Sequence, residues 1–465
     1  MLILNFTFKN YRSFRDQTQF SMQRDQEKSP GGWAHPDVST VCAIYGPNAS
    51  GKSTLLEAFE YMSHLVSESY ARGDRTSGID IDPFLLDAES RSAPSEFFIE
   101  FIANNNLRYK YWFSIDAHKV LEESLTVYRS SRPTVLFNRF IDDSGEADIK
   151  FGPSFSGPKQ QLWKLTRPNS LFLSAVGASA VDASSSIDSF SAFEALSKGI
   201  GFYSAPKYGM ELTYIKHLLK NKSKFGKALS NMISHVDVGV NGISLKEREP
   251  DENIKKGIED LKEDPKIEKT TLDLIISEVS NTLAFGHSGK DGIVVWLESS
   301  LESAGTVAAL SFLSVALQTL SSGSVALVDE LDSSLHPVLV DELVRIFADP
   351  ETNPRQAQLI FTTHDVSLIT KSGRDGRAIQ RDQLWFVEKG NDGASDLYPV
   401  TSMPVRPDEN MGRNYMLGVY GALPNIGLHD AVAKVINSLI GLDESDGSDD
   451  SGESDETDGV EKDGA

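Results

Sequence analysis

Val41-Cys42-Ala43-Ile44-Tyr45-Gly46-Pro47-Asn48-Ala49-Ser50-Gly51-Lys52-Ser53-Thr54-Leu55-Leu56-Glu57-Ala58-Phe59 joins an apolar run to a helical run through a turn bounded by two glycines. It reads as strand, phosphate loop, helix, and its centre fits G-x-x-x-x-G-K-[ST]. Gly46 and Gly51 let the backbone turn tightly enough to aim consecutive N–H groups at phosphate oxygens, and the positive end of the following helix adds to that field. Lys52 is then placed to reach the β- and γ-phosphates, and the Ser53 hydroxyl to bind Mg²⁺. Asn48 and Thr54 complete the candidate contacts to a nucleotide triphosphate. The plain alternative is a chance glycine turn before an ordinary helix, and the strand and helix on either side argue against it.

Working outward, 465 residues with 40% hydrophobic content can bury a large core and suggest two or three structural units. The formal charge of −22 is uneven: residues 443–465 hold eleven Asp or Glu against one Lys, a net of −10, which leaves −12 on the first 442. A pervasively basic nucleic-acid-binding surface is therefore not expected, while the charge balance still leaves room for a local basic patch. The single cysteine, Cys42, precedes the phosphate loop and reads as a buried, inert thiol. No charged-then-apolar leader and no apolar run near 18 residues is present, so a soluble, cytoplasmic chain without a membrane partner is expected.

In chain order, residues 1–9 alternate, with Leu2, Leu4, Phe6 and Phe8 on one face of a strand, and a second short strand is expected near Thr18–Met22. After the phosphate-loop helix, about 52–70, the runs Glu96–Ala103, Leu107–Asp116, Leu121–Tyr128 and Thr134–Phe140 read as an antiparallel meander. From Ser191 to Ala284 the pattern reads as helical, over Met210–Leu219, Ser223–Ser234, Asn253–Leu261 and Thr271–Leu283. Within it, 207–227 holds six lysines and Glu211 as its only acid. Such a run is either a solvated helix face or a contact for DNA, RNA or an acidic partner. Beyond Ile293–Leu297 the chain alternates strand and helix, with Ser324–Val328, Gln358–Thr362 and Gln383–Glu388 as strands. Residues 443–465 read as a disordered acidic tail.

Three further stretches carry chemistry. Val325-Ala326-Leu327-Val328-Asp329-Glu330 is an apolar strand ending in two acids: Asp329 is placed to hold Mg²⁺, and Glu330 to orient or deprotonate the attacking water. Phe361-Thr362-Thr363-His364-Asp365 repeats the arrangement of strand and polar residue, and His364 can contact the γ-phosphate. Ser303-Ala304-Gly305-Thr306 opens an apolar helix, Val307–Leu320, with a hydroxyl, N–H groups and a positive dipole end suited to a phosphate or, equally, to simple capping.

In this order the motifs resemble the ATP-binding-cassette ATPases, specifically their RecF/SMC/OLD-like branch. Lys9–Phe14 is similar to that branch's N-terminal motif, Gly46–Thr54 to its Walker A and Ser303–Thr306 to its shortened signature. Val325–Glu330 resembles its Walker B, Leu331-Asp332 its D-loop and His364 its switch histidine; Leu335-His336-Pro337 also looks like this group. Two departures stand out. The signature lacks the second glycine of the Leu-Ser-Gly-Gly-Gln form, having Ala304 before Gly305, and no Q-loop glutamine is evident, Asp82-Pro83-Phe84 lying at roughly its place. Arg413–Pro424 resembles a C-terminal segment of stand-alone bacterial ATPases of phage-defence and abortive-infection loci, although a segment that merely closes the core would read the same.

The resemblance implies an α/β fold, an ABC-ATPase head with a parallel P-loop sheet and an antiparallel β subdomain, carrying an inserted helical arm. It divides the chain into an N-terminal lobe (1–190), a helical insertion (191–284), a C-terminal lobe (285–442) and the tail (443–465). It also implies a head-to-tail homodimer, or a higher assembly, in which ATP and Mg²⁺ lie between Lys52 of one copy and Ser303 and Gly305 of another, with Asp332 of the D-loop among the nucleotide-binding residues. The expected activity is ATP hydrolysis that regulates an effector supplied by a separate chain, a nuclease or toxin, in antiviral defence. DNA maintenance, with ATP gating DNA binding through 207–227, is the alternative.

Overall fold

The protein is described here by a computed structural model covering residues 1–439 apart from 25–36, 73, 75–76, 180–186, 205–207, 237–238, 264–271, 273–274, 277–278, 372–375, 405–408 and 425–426. The tail 443–465, Lys207 and residues 271, 273–274 and 277–278 of the proposed helix 271–283 lie outside the described residues. The chain divides into two compact units, Met1–Leu423 and Pro424–Ala465.

The described strands, in chain order, are β1 (Leu2–Lys9), β2 (Thr18–Ser21), β3 (Val41–Tyr45), β4 (Ser95–Ile102), β5 (Arg108–Ile115), β6 (Val120–Tyr128), β7 (Pro133–Ile141) and β8 (Ala147–Phe151). They continue as β9 (Ile200–Tyr203), β10 (Val240–Glu247), β11 (Asn281–Ser288), β12 (Val294–Glu298), β13 (Val325–Val328), β14 (Gln358–Thr362), β15 (Leu384–Lys389) and β16 (Ser395–Pro399). They form three sheets. The first is the meander expected from the alternating runs, extended at both ends to the order β2-β1-β4-β5-β6-β7-β8. The second is β10-β11-β12, and the third is β16-β15-β3-β14-β13-β9, parallel throughout except for β16.

This third sheet is the frame of the molecule, and β3 shows why it forms. Every residue of β3 is buried, as the continuous apolar run predicts for a strand covered on both faces. Cys42 and Ile44 face a core shared with Phe6, Leu55, Phe59 and Phe97, so the phosphate-loop helix Lys52–Arg72 lies between the parallel sheet and the antiparallel one. Val41, Ala43 and Tyr45 face the second core, packed by the helices Ala304–Ser322 and Pro337–Ala348. The α/β class, with its parallel P-loop sheet and antiparallel subdomain, is as the sequence implies.

Several details differ from the sequence pattern. In β1 the register against β4 shifts between Ile3 and Asn5, which buries both Ile3 and Leu4 and leaves Leu2 half-buried. The stretch 191–284 is not only helical. Tyr208–Lys220, Lys224–Val236 and Glu252–Glu263 are helices, but β9, β10 and β11 fall in the same stretch. Four residues, Ile200-Gly201-Phe202-Tyr203, are too short for a periodic signal, yet they pair in parallel with Val325–Val328 and finish the central sheet. The apolar helix Ala304–Ser322 has the length and a mean hydropathy, 1.4, that could cross a bilayer, against the reading that no such run exists. Ser311, Ser314 and Thr319 interrupt the run in sequence, and 61% of the helix's apolar window is buried inside the molecule, so its hydrophobicity serves the core.

Arg413–Pro424 does close the core: Tyr415 and Tyr420 each stack within 5.5 Å of Phe386 on β15, and the Tyr398 hydroxyl donates to the Tyr420 carbonyl (2.9 Å).

Candidate nucleotide site

Parallel strands end on one edge, and in this sheet the carboxyl ends of β15, β3, β14 and β13 stand side by side in that order. Each carries polar residues just past its last apolar one: Lys389 on β15, the phosphate loop after β3, Thr362 to His364 on β14, and Asp329 and Glu330 on β13. Such an edge is where α/β sheets place ligands.

Two close approaches shape the loop. A Cβ on Gly46 would lie 2.3 Å from the Val387 carbonyl oxygen. Gly51 has φ +115°, and a Cβ there would meet the Ser395 and Ser13 hydroxyls at 2.6 and 2.9 Å. Only glycine fits either place. Ser395 Oγ donates to the Ser50 carbonyl (2.5 Å) and can accept from Ser13 Oγ (2.9 Å), so the β15–β16 hairpin and the Asn10–Phe14 strap hold the loop from outside. Lys52 is buried, and its ammonium donates to the Gly46 and Pro47 carbonyls at 2.9 and 3.0 Å. Burial pushes its pKa down, opposed by the nearby charges of Asp329, Glu330 and Asp332.

Thr362 organises the acids. Its buried hydroxyl donates to Asp329 Oδ1 (2.6 Å) and accepts the Glu330 backbone N–H (2.7 Å). Glu330 is held at φ +53°, unusual for a residue with a side chain, and exposes its carboxylate. A cavity of about 350 Å³ opens here, lined by Asn48, Gly51, Lys52, Ser53, Thr54, Glu330, Ser13 and Lys389. His364 donates its backbone N–H to both carboxylate oxygens of Asp332 (3.3 Å each). Desolvation and then the Lys52 charge lower the pKa of its imidazole, while Asp332, Glu330 and Asp329 raise it. His364, both acids and Lys52 thus share one electrostatic neighbourhood.

Ser303 and Gly305 are placed differently. Ser303 caps the helix Ala304–Ser322 by accepting the Thr306 N–H (3.0 Å) and is exposed. A Cβ on Gly305 would lie 2.8 Å from the Ser334 carbonyl, just beyond the acidic pair. Neither residue is among those lining the cavity that holds Lys52. Asp82, at the Q-loop place, is spent on the strap: its carboxylate accepts from Arg12 Nε (3.2 Å), whose guanidinium also pairs with Glu57.

For Mg²⁺, the protein ligands would be the Ser53 hydroxyl and the Asp329 carboxylate. Among the described residues no group of three His, Cys, Asp or Glu could hold a metal, so an ion here would draw its remaining ligands from phosphate and water, as magnesium usually does. The donor set fits that mode of binding. Ser13, Thr362, Lys389 and Ser395 are the site residues that sequence reasoning missed. Only Thr362 carried a signal, since it adjoins the His364 motif.

Among solved structures the chain is similar to the SMC head domain from Thermotoga maritima, at 13% identity over 86% of this chain and 99% of that one, with a TM-score of 0.37. It is also similar to the recombination mediator protein RecF bound to ATP, at 15% identity over 85% of this chain and 97% of that one, with a TM-score of 0.33. No curated protein matches the sequence. One family model spans residues 41–370, from the strand before the phosphate loop to just beyond His364, and by that match the chain belongs to the family described as "AAA domain, putative AbiEii toxin, Type IV TA system".

Proposed function

We propose that this chain is a soluble, cytoplasmic ATPase that binds ATP with Mg²⁺ and hydrolyses it at a site completed by a second copy of itself. The observation that carries the proposal is the cavity where Lys52, Ser53 and Glu330 meet without Ser303 or Gly305. Lys52 and the loop N–H groups would hold the phosphates, Ser53 and Asp329 the ion, and Glu330 the attacking water. Ser303 and Gly305 would close the site from the partner copy, so that binding joins the pair and hydrolysis releases it. Such a cycle suits the control of a separate effector protein, a nuclease or toxin, and the toxin–antitoxin wording of the family description supports a setting in antiviral defence.

The test combines turnover with assembly. Lys52→Ala should abolish nucleotide binding, and Glu330→Gln should cut hydrolysis by about 10²–10⁴-fold while sparing binding, trapping a dimer visible by light scattering in ATP. Native turnover in either variant would remove the site assignment, and a monomer in the trapped variant would remove the composite site.

A second reading, ATP-gated DNA binding, is favoured by the exposed lysines 220, 222, 224 and 227 on and between the helices Tyr208–Lys220 and Lys224–Val236. Duplex DNA titrated with and without ATP at several salt concentrations decides it, because phosphate contacts must weaken with salt. Absent or salt-independent binding would eliminate it.

A further inference from the structure

We infer that Lys389 is a second phosphate-binding cation, serving the α- and β-phosphates from the β15–β16 hairpin; this rests on the nucleotide-site reading above. Lys389 is exposed at the carboxyl end of β15 and lines the same cavity as Lys52, Ser53 and Thr54. Its position is fixed by its strand partner. Lys389 pairs in register with Ser395, which is bonded to the Ser50 carbonyl inside the phosphate loop and to Ser13. Two residues earlier on β15, the Val387 carbonyl packs against Gly46. The hairpin is thereby clamped to both ends of the loop.

Charge gives this placement its purpose. Apart from Lys389, the lining holds one cation, Lys52, and one anion, Glu330, and a cavity of zero net charge is a poor host for a triphosphate. Lys389 makes the lining net positive. No ion pair or hydrogen bond engages its ammonium among the described residues. The neighbouring charges have other partners: Glu388 accepts from the Tyr398 hydroxyl, and Asp392 at the hairpin turn pairs with Arg15.

Sheet order then says which phosphates it serves. Asp329 and Glu330 follow β13 and His364 follows β14, both on one side of β3, whereas β15 lies on the other. The acids and the histidine mark the end where the terminal phosphate and its ion belong. Lys389 therefore faces the opposite end of the phosphate chain, which ADP retains.

The experiment is equilibrium binding of Mg·ATP and Mg·ADP to the full-length chain by calorimetry. Lys389→Ala should weaken both nucleotides by a similar factor, about tenfold, as expected for loss of one charge-assisted contact. Lys389→Arg, which keeps the charge, should stay within about threefold of the native protein. Unchanged ADP binding in Lys389→Ala would overturn the inference, and so would a loss confined to ATP. A Lys389→Arg variant as weak as Lys389→Ala would show that the hairpin was disturbed and would overturn it too. Lys52→Ala separates the two levels: if it alone abolishes binding, the nucleotide site stands and only Lys389 is misassigned, whereas native binding by Lys52→Ala removes both.

Discussion

Replacing Thr362 with valine should separate nucleotide binding from hydrolysis. The swap nearly conserves volume at a fully buried position and removes two hydrogen bonds, one to the Asp329 carboxylate at 2.6 Å and one from the Glu330 N–H at 2.7 Å. A bond to a charged group contributes about 1.5–3 kcal/mol and a neutral one about 1. Asp329 is only half-buried and can recruit water, so the loss of stability should sit near the low end, about 2 kcal/mol. Turnover should fall further. The left-handed backbone of Glu330 at φ +53° is a strained state costing of order 1–3 kcal/mol, and the Thr362 bond helps hold it. Released, the carboxylate moves, and a displacement of about 1 Å in a reacting group costs up to about 10²-fold. Steady-state hydrolysis should drop by about 10–100-fold while ATP affinity stays within about threefold, since no loop residue is touched. Thr362→Ser, which keeps the hydroxyl, should recover most of the rate. Native turnover in Thr362→Val, or a serine variant as impaired as the valine one, would refute the claim that this hydroxyl positions the acids.

Two predictions concern the scaffold. Gly51→Ala combines a forbidding φ with collisions against Ser395 and Ser13, so ATP binding should be lost in a protein that still melts cooperatively; native affinity in a binding titration would contradict the close-packed loop. In the antiparallel sheet, Glu123 and Arg139 are both fully buried. Glu123 accepts the Phe172 and Leu173 N–H groups and the Tyr111 hydroxyl, and Arg139 donates to the Ser170 and Pro168 carbonyls. Arg139→Met should cost about 3–5 kcal/mol in urea unfolding by stranding the carboxylate, and adding Glu123→Gln should restore part of it. A single variant as stable as the native protein would show that the pair is dispensable.

How much of this was legible in the sequence depends on whether local pattern or distant pairing decides the structure. The phosphate loop, the acids after β13 and the histidine after β14 announce themselves because each is a fixed chemistry attached to a continuous apolar strand. The meander was equally plain, since alternation over eight or nine residues has few other meanings. By contrast, β9 is four residues with no period to detect, and only its pairing with β13 makes it a strand. Lys389 and Ser395 read as ordinary residues of a surface hairpin. Nothing nearby in sequence links them to Gly51, and the connection exists only because β15 lies beside β3. Asp82 shows the converse: order along the chain put it where a Q-loop residue belongs, but the neighbouring Arg12 claims its carboxylate.

The place of β3 in its sheet bears on how the protein is made. Val41 pairs with Leu359 on one side, and Ala43 with Leu384 on the other. During synthesis the phosphate loop emerges well before both flanking strands, which lie far along the sequence from β3. Closing loops of that length is slow, and until they close the apolar faces of Val41–Tyr45 have no neighbours. The meander, built from adjacent hairpins, can form as it leaves the ribosome, whereas the nucleotide pocket is among the last parts to assemble. Bound nucleotide would then report that β14 and β15 have docked on β3, and chains cut short before β15 would be expected to expose β3 to aggregation and to the cell's proteases.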